Sequence, residues 1–133
     1  MKILFICKFN RFRSKVAEAV FNKLNKNSEN KCKSAGIIRG RPLDKLQVSV
    51  AKKRGFNINS KPHGLTSEML IWQNLIVIVA DDVPRELFKD NIKYGKKLIV
   101  WKIPDVFSNN EKDIEKTISL IENKVKGLVK ELR

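Results

Sequence analysis

Three short apolar runs stand out along the chain, and a more polar stretch follows each of them. They occupy residues 2–7, 75–80 and 97–101. Continuous apolar runs of this length are typical of strands that are buried on both faces of a parallel sheet. Residues 31–34 are a weaker candidate for a further short strand. The pattern therefore predicts a sheet of roughly four strands.

Between and after these strands, apolar residues recur at helical spacing. We predict four helices, at residues 14–27, 42–54, 83–89 and 113–132. Ser14 is a plausible first residue for one of them, Pro84 suits the first turn of another, and Gly55 can end a third. Alternation of buried strands with helices predicts an α/β three-layer sandwich, with a central parallel sheet and helices on both faces.

The composition supports a packed core and gives no sign of a membrane segment. Of the 133 residues, 42% are hydrophobic. No apolar run approaches the roughly 18 residues that a membrane helix needs. The apolar N-terminus is too short for a signal peptide, because Lys8, Arg11 and Arg13 follow it closely. We expect a cytoplasmic protein, not bound to membranes, that forms a single domain over residues 1–133.

The charge is strongly positive, with 28 Lys and Arg against 14 Asp and Glu, a net charge of +14. An excess of this kind favours anionic partners. The candidates are phosphorylated substrates, such as a phosphorylated protein or a small phosphate ester, acidic proteins, and nucleic acid, which is less favoured but not excluded. The simpler interpretation of the excess is a lysine-rich, solvated surface.

Cysteine usage argues against two common ways of building a small domain. The chain has two cysteines, Cys7 and Cys32, and one histidine, His63. Two cysteines cannot form a disulfide framework, and no Cys/His cluster has the spacing of a zinc site. We therefore expect neither a metal nor another cofactor.

Residues 7–14 form a Cys-x5-Arg-Ser motif between the first predicted strand and the first predicted helix. Such a loop can gather its amide groups at the helix N-terminus and so form an anion site. This environment favours a Cys7 thiolate, and Arg13 can grip phosphate oxygens in a bidentate fork. Ser14 can donate a hydrogen bond to the thiolate. On the pattern alone, Cys7 could instead be a buried strand-end cysteine and Arg13 a solvated residue.

The N-terminal run resembles the low-molecular-weight protein tyrosine phosphatase family, which shares its fold with thioredoxin-coupled arsenate reductases. It reads Ile-Leu-Phe-Ile-Cys-x2-Asn-x2-Arg-Ser-x2-Ala-Glu-Ala-Val-Phe. Further similar segments follow in family order at residues 33–36, 50–55, 65–66 and 79–82. The resemblance covers essentially the whole chain.

The resemblance implies a role for each matched residue. Cys7 is similar to the nucleophile of the family and Arg13 to its phosphate-binding arginine. Asn10 matches an asparagine that the family holds in a left-handed backbone conformation, which Asn tolerates. Ser14 and Ser34 match serines that support the thiolate and the loop. The loop residues expected to contact the substrate are Lys8, Phe9, Asn10, Arg11, Phe12 and Ser14.

Asp105 is the candidate general acid, because the family carries this aspartate in a late loop and Ile-Pro-Asp-Val matches it at residues 103–106. The alternative is a simple turn aspartate after proline. Asp81 and Asp82 follow the clearest predicted strand, where they could anchor a basic residue at the rim or cap the next helix.

Three departures from the family pattern affect the site. Phe9 replaces a glycine, Phe12 replaces a frequent second cysteine, and Val106 replaces a proline after the general acid. A disulfide within the loop is therefore impossible. Phe107 and Trp101 could form a substrate wall or could be ordinary core packing. The candidates for the rim of the pocket are Phe9, Ile37, Arg39, Arg41 and Phe107.

These observations predict a phosphatase that hydrolyses phosphotyrosine or a similar phosphomonoester through a phospho-cysteine intermediate. One alternative is an arsenate reductase without the usual cysteine relay, since residues 74–96 contain no cysteine. The other is a non-catalytic protein that binds anions or nucleic acid through the loop and the basic surface.

Overall fold

The computed structural model describes residues 1–107 and 109–132. Its sheet consists of β1 (Lys2–Cys7), β2 (Lys31–Gly36), β3 (Leu75–Val79) and β4 (Lys97–Trp101). All neighbouring strands are parallel, in the spatial order β2-β1-β3-β4. The predicted four-stranded parallel sheet is confirmed. β2 runs two residues beyond its predicted end, and β3 stops one residue early.

The helices are α1 (Arg13–Leu24), α2 (Lys45–Lys53), α3 (Ser67–Trp72), α4 (Lys89–Lys93) and α5 (Glu111–Glu131). α1 ends before the predicted residue 27 because Asn25 adopts an extended conformation. α2 begins later than predicted because the carboxylate of Asp44 accepts a hydrogen bond from the amide of Gln47 and caps the helix. The prediction that Ser14 starts α1 is wrong: the helix begins at Arg13, and the Ser14 hydroxyl makes no cap.

Two differences from the prediction concern short helices. The predicted helix over residues 83–89 is a 3-10 turn at Arg85–Phe88 that continues into α4. α3 was not predicted. It has only six residues and buries none of them, so it lacks a long apolar periodicity, although Thr66 caps its start.

Helices cover both faces of the sheet, as predicted. Ile3 and Phe5 of β1 pack with residues of α1, α2 and α5 on one face. Leu4 and Ile6 face the other way and pack with residues from α3 and the 3-10 turn. This alternation along one strand is what a sheet with two covered faces requires. None of the described helices is long and apolar enough to cross a membrane.

The strand order places a natural binding edge at the end of β1. Chain order reverses between β1 and β3, and open α/β sheets bind ligands beyond the carboxyl ends of strands at such a point. Cys7 is the last residue of β1 and pairs with Gly36, the last residue of β2. The fold therefore brings Cys7 to the edge where a ligand is expected.

α1 carries a lysine on its buried side. Lys15 is only 2% exposed, and its Nζ donates hydrogen bonds to Ser60 Oγ at 2.5 Å and to the carbonyl of Lys61 at 3.1 Å. Burial lowers the pKa of Lys15, while the charges of Glu18 and Cys7 act in the opposite direction. Lys15 thus ties the first turn of α1 to the segment before α3.

Replacing Lys15 with Met should change how the free energy of unfolding depends on pH. The folded protein releases the Lys15 proton at lower pH than the unfolded chain, so the unfolded chain binds more protons below pH 10.5. The wild type should therefore gain stability relative to Lys15→Met as pH rises from neutral toward 10.5. Each unit of pKa difference corresponds to about 1.4 kcal/mol.

Urea unfolding at several pH values measures this difference. Lys124→Met, at an exposed position of α5, is the matched control and should show no such trend relative to wild type. A stability difference between wild type and Lys15→Met that stays constant over the whole pH range would contradict the burial argument.

Candidate active site

The loop from Cys7 to Arg13 is held with its carbonyl groups turned outward. The carbonyls of Cys7, Lys8 and Phe9 each accept a hydrogen bond at 3.1 Å, from the amides of residues 37, 38 and 40 respectively. Within the described part of the chain, none of the amides of residues 8–12 donates to a protein acceptor. These amides are available to an anion, as in other anion-binding loops.

Asn10 fixes the shape of the loop from beneath. It has the expected left-handed conformation, with φ 55°, and its side chain is fully buried. Its Nδ2 donates to Ser14 Oγ at 2.7 Å and to Ser34 Oγ at 3.0 Å, and its Oδ1 accepts from the amide of His63 at 2.9 Å. The side chain of Asn10 therefore supports the loop, and only its backbone can face a substrate.

The same hydrogen bonds orient the two serine hydroxyls. Because Ser14 Oγ accepts from Asn10, its own proton is free to point toward Cys7 Sγ, 3.0 Å away. Ser34 Oγ likewise accepts from Asn10 and donates to Glu18 Oε1 at 2.8 Å. A hydrogen-bond network therefore runs from the buried sulfur of Cys7 to the partly buried carboxylate of Glu18.

Arg13 is buried, and carboxylates hold its guanidinium in place. Its Nη2 lies 3.0 Å from Asp82 Oδ1 and 3.7 Å from Asp105 Oδ2, and its Nη1 lies 3.8 Å from Asp81 Oδ1. Nη1 also donates to the carbonyl of Ile103 at 2.9 Å. Of the two roles left open for Asp81 and Asp82, the structure shows the anchoring one. Their partner is the buried Arg13 itself.

The guanidinium keeps donors for a ligand despite these contacts. Arg has five N–H groups. The Ile103 carbonyl lies on Nη1 and the Asp82 carboxylate lies on Nη2, and the donors that these two contacts leave can meet two oxygens of a phosphate. The carbonyl of Ile103 also accepts from the amide of Asp81 at 3.0 Å, which fixes residues 103–106 beside the end of β3.

Cys7, Arg13 and Asp105 meet in one small cavity of about 180 Å³. The structure thus brings together the three residues predicted to be catalytic. Asp105 is partly exposed there, and its Oδ1 accepts a hydrogen bond from the amide of Val106 at 2.9 Å. The other residues that line this cavity are Phe9, Arg11, Phe12, Arg41, Gln47, Val106 and Phe107.

The structure divides the predicted substrate contacts into two groups. Phe9 and Arg11 line the cavity, and so does Phe12, although its ring is mostly buried in the core. Lys8 lies outside the lining, with its Nζ 5.2 Å from the centre of the Phe9 ring. The side chain of Ser14, like that of Asn10, lies below the loop.

The predicted rim is also only partly present. Arg41 and Phe107 line the catalytic cavity, and the Phe107 side chain is 91% exposed. Ile37 and Arg39 do not line it. Trp101 belongs to the core, where its ring centre lies 6.1 Å from that of Phe5.

Sequence reasoning missed three residues of the site. A Cβ atom on Gly36 would lie 2.6 Å from the carbonyl carbon of Phe9, and one on Gly40 would lie 2.6 Å from the Phe9 oxygen. Both glycines therefore allow residues 36–40 to approach the loop closely. Gly36 was visible as part of a family-like segment, but its steric role was not. Gln47 had no signal beyond a place in a predicted helix.

Cys32 cannot act with Cys7. Cys32 lies four residues before Gly36, the partner of Cys7 in the sheet register, which separates the two Cα atoms by about 13 Å along the strand direction alone. A disulfide needs less than about 7 Å. Burial, and secondarily the charge of Glu18, raises the pKa of the Cys32 thiol far above its ordinary value. Among the described residues, no group of three His, Cys, Asp or Glu side chains could hold a metal ion.

Comparison with known proteins agrees with this geometry. A family model for low molecular weight phosphotyrosine protein phosphatase matches residues 2–133. A low molecular weight protein tyrosine phosphatase from T. tengcongensis has 26% sequence identity and a TM-score of 0.85, over 98% of this chain and 99% of that one. No curated protein sequence gives a significant match.

Other enzyme classes with solved structures share the fold. An arsenate reductase from Archaeoglobus fulgidus has 27% identity and a TM-score of 0.74, over 96% of this chain and 98% of that one. The YwlE arginine phosphatase from Geobacillus stearothermophilus has 21% identity and a TM-score of 0.82, over 98% and 92%. At 21% identity, the similarity to the YwlE arginine phosphatase shows a shared fold and no more. Because the family model spans nearly the whole sequence, the chain belongs to the low molecular weight phosphotyrosine protein phosphatase family and is an enzyme of that class.

Proposed function

We propose that this chain hydrolyses phosphotyrosine, or a similar phosphomonoester, and that Cys7, Arg13 and Asp105 carry out the reaction. The main support is the convergence of these three side chains on one cavity, beneath which a buried network reaches the sulfur of Cys7. Binding an anion alone would not need a nucleophile and an acid within the same cavity.

In the first step, the loop amides and Arg13 bind the phosphate oxygens. The Cys7 thiolate attacks phosphorus and forms the S–P bond, while the bond from phosphorus to the leaving oxygen breaks. Asp105 supplies the proton that the leaving oxygen takes up. Arg13 stabilises the charge on the equatorial oxygens of the transition state.

In the second step, water attacks the phospho-cysteine. Asp105, now a carboxylate, accepts a proton from this water as its oxygen bonds to phosphorus. The S–P bond breaks and its electron pair returns to Cys7. The Ser14 hydroxyl, which Asn10 orients, donates a hydrogen bond to the departing thiolate.

The cavity favours an aromatic phosphate over a phosphorylated cation. Phe9 and Phe107 offer apolar surface for a ring at the mouth. Arg11 and Arg41 add positive charge there, and Asp105 is the one acidic side chain among the described residues that line the cavity. A guanidinium leaving group would therefore meet repulsion, whereas a phenol would not. Phosphorylated proteins and small phosphate esters are the substrates that fit.

The alternative functions receive less support. An arsenate reductase without the usual cysteine relay would have to recruit an external thiol to reduce Cys7, because Cys32 is too far from Cys7 to serve. A protein that only binds anions would need neither the contact of Ser14 with Cys7 nor the contact of Asp105 with Arg13.

Replacing Cys7 with Ser should abolish turnover and leave phosphate binding intact. The serine hydroxyl is a far weaker nucleophile than the thiolate, so turnover of a chromogenic aryl phosphate without added metal should fall by on the order of a thousandfold or more. Phosphate binding, measured by calorimetry, should change little because the loop amides and Arg13 remain. Absence of turnover by well-folded wild type would remove the hydrolase proposal.

Replacing Asp82 with Asn should weaken catalysis through Arg13. The substitution removes the carboxylate that lies 3.0 Å from Nη2, so the fork is held less firmly against the phosphate. We expect kcat/KM for an aryl phosphate to fall by roughly ten- to a hundredfold.

Asp81→Asn is the matched control for this measurement, since its carboxylate lies 3.8 Å from Nη1 and its side chain is more exposed. Its effect should be several times smaller. Equal losses of kcat/KM in the two variants would contradict the anchoring role of Asp82, because removal of one nearby negative charge would then explain both losses.

A further inference from the structure

A second and larger cavity lies beside the catalytic one. It has a volume of about 840 Å³, and we call it the side cavity. Arg39, Gly40 and Pro42 line it, while Arg41, which lies between them in the chain, lines the catalytic cavity. One loop therefore forms a wall of both cavities. A ligand that enters the catalytic cavity and extends past this loop reaches the side cavity.

The side cavity is cationic. Its charged lining residues are Arg39, Lys45 and Lys61, and no acidic residue is among the lining residues that the structure describes. Over residues 1–107 and 109–132, none of these three side chains forms an ion pair or a hydrogen bond. The nearby carboxylate of Asp44 is engaged in capping α2, where it accepts from the amide of Gln47 at 3.0 Å. The three cations are therefore available to an anionic ligand.

Both walls of the side cavity are fixed to the catalytic loop and to the helix that follows it. Arg11 donates from Nε and Nη2 to the carbonyl of Pro42, at 3.1 and 2.9 Å. On the opposite wall, Lys15 donates to Ser60 and to the carbonyl of Lys61. A group bound in the side cavity is thus held in a defined position relative to Cys7.

We propose that the side cavity binds acidic side chains that flank the phosphorylated residue of a protein substrate, so that the enzyme selects phosphotyrosine in acidic sequence. The proposal rests on the proposed function. The catalytic cavity, at about 180 Å³, holds little beyond the phosphoryl group and its ring, so it leaves the flanking residues outside. An extended peptide advances about 3.3 Å per residue, so residues a few positions away can reach the neighbouring cavity.

The walls of the side cavity suit a peptide better than a free anion. Pro42, Leu43, Val48 and Pro62 give it apolar surface between the cations. An Asp or Glu side chain combines an aliphatic stem and backbone with a carboxylate, so it can use both kinds of surface.

The test compares three phosphotyrosine peptides of equal length, with acidic, neutral and basic flanking residues. The double variant Lys45→Gln/Lys61→Gln removes two charges from the side cavity. Lys124→Gln/Lys130→Gln removes two exposed charges from α5 and serves as the matched control. At low ionic strength the wild type should prefer the acidic peptide over the neutral one by roughly tenfold in kcat/KM. The side-cavity variant should lose most of this preference and the control variant should keep it.

Hydrolysis of p-nitrophenyl phosphate should be the same in all three proteins, because this substrate does not extend beyond the catalytic cavity. Equal preference for acidic peptide in the two double variants would overturn the proposal, since net charge alone would then explain the selectivity. A wild type without any preference would overturn it as well.

Binding gives a readout that does not depend on turnover. Fluorescence anisotropy of a labelled acidic phosphopeptide should show affinity several times lower for the side-cavity variant than for the control variant. If p-nitrophenyl phosphate is not hydrolysed but this difference in binding is present, the proposed hydrolase function is wrong and the proposed binding of acidic peptides by the side cavity is supported. If a single-stranded oligonucleotide shows the difference and the acidic peptide does not, the side cavity is a nucleic-acid site and the proposal is wrong.

Discussion

The whole site depends on one buried amide side chain. Asn10 holds its own backbone in the left-handed region and reaches Ser14, Ser34 and the amide of His63 at once. These contacts turn the loop so that its carbonyls point toward residues 37–40 and its amides stay available. They also leave the Ser14 proton free for the sulfur of Cys7. A partly satisfied network of this kind would be costly to bury, so the loop has one favourable arrangement.

A second constraint comes from the sheet edge, which gathers carboxylates around a buried arginine. Asp82 follows β3 and Asp105 follows β4, and both reach the guanidinium of Arg13 at the start of α1. A buried guanidinium without partners would be strongly unfavourable. The acid loop at residues 103–106 is therefore held next to the nucleophile by the same contacts that keep Arg13 in place. The contacts that hold Arg13 for phosphate binding therefore also position Asp105 for proton transfer.

Much of this arrangement could be predicted from the sequence, and the reasons are specific. The apolar runs predicted three of the four strands, because strands covered on both faces need continuous apolar residues. β2 was a weaker candidate, since it is largely polar and only its last three residues are buried. The spacing from Cys7 to Arg13 predicted the anion-binding loop. The family resemblance predicted Asp105 as the general acid. α3 escaped prediction because it is short and exposed. The roles of Gly36 and Gly40 depend on a close approach between distant segments, which no local pattern encodes. The sequence did not distinguish Lys45 and Lys61 from ordinary solvated lysines, because only the fold places them around one cavity with Arg39.

The central claim is that a phosphoryl group passes through Cys7. The most direct measurement is rapid quenching of Asp105→Asn during its reaction with p-nitrophenyl phosphate, followed by mass spectrometry of the peptide that contains Cys7. This substrate has a good leaving group, so the first step should proceed without the acid, whereas the second step lacks its base. The account predicts that phosphorylated Cys7 accumulates. Product formation without any phosphoryl group on Cys7 would contradict it and would indicate direct attack by water.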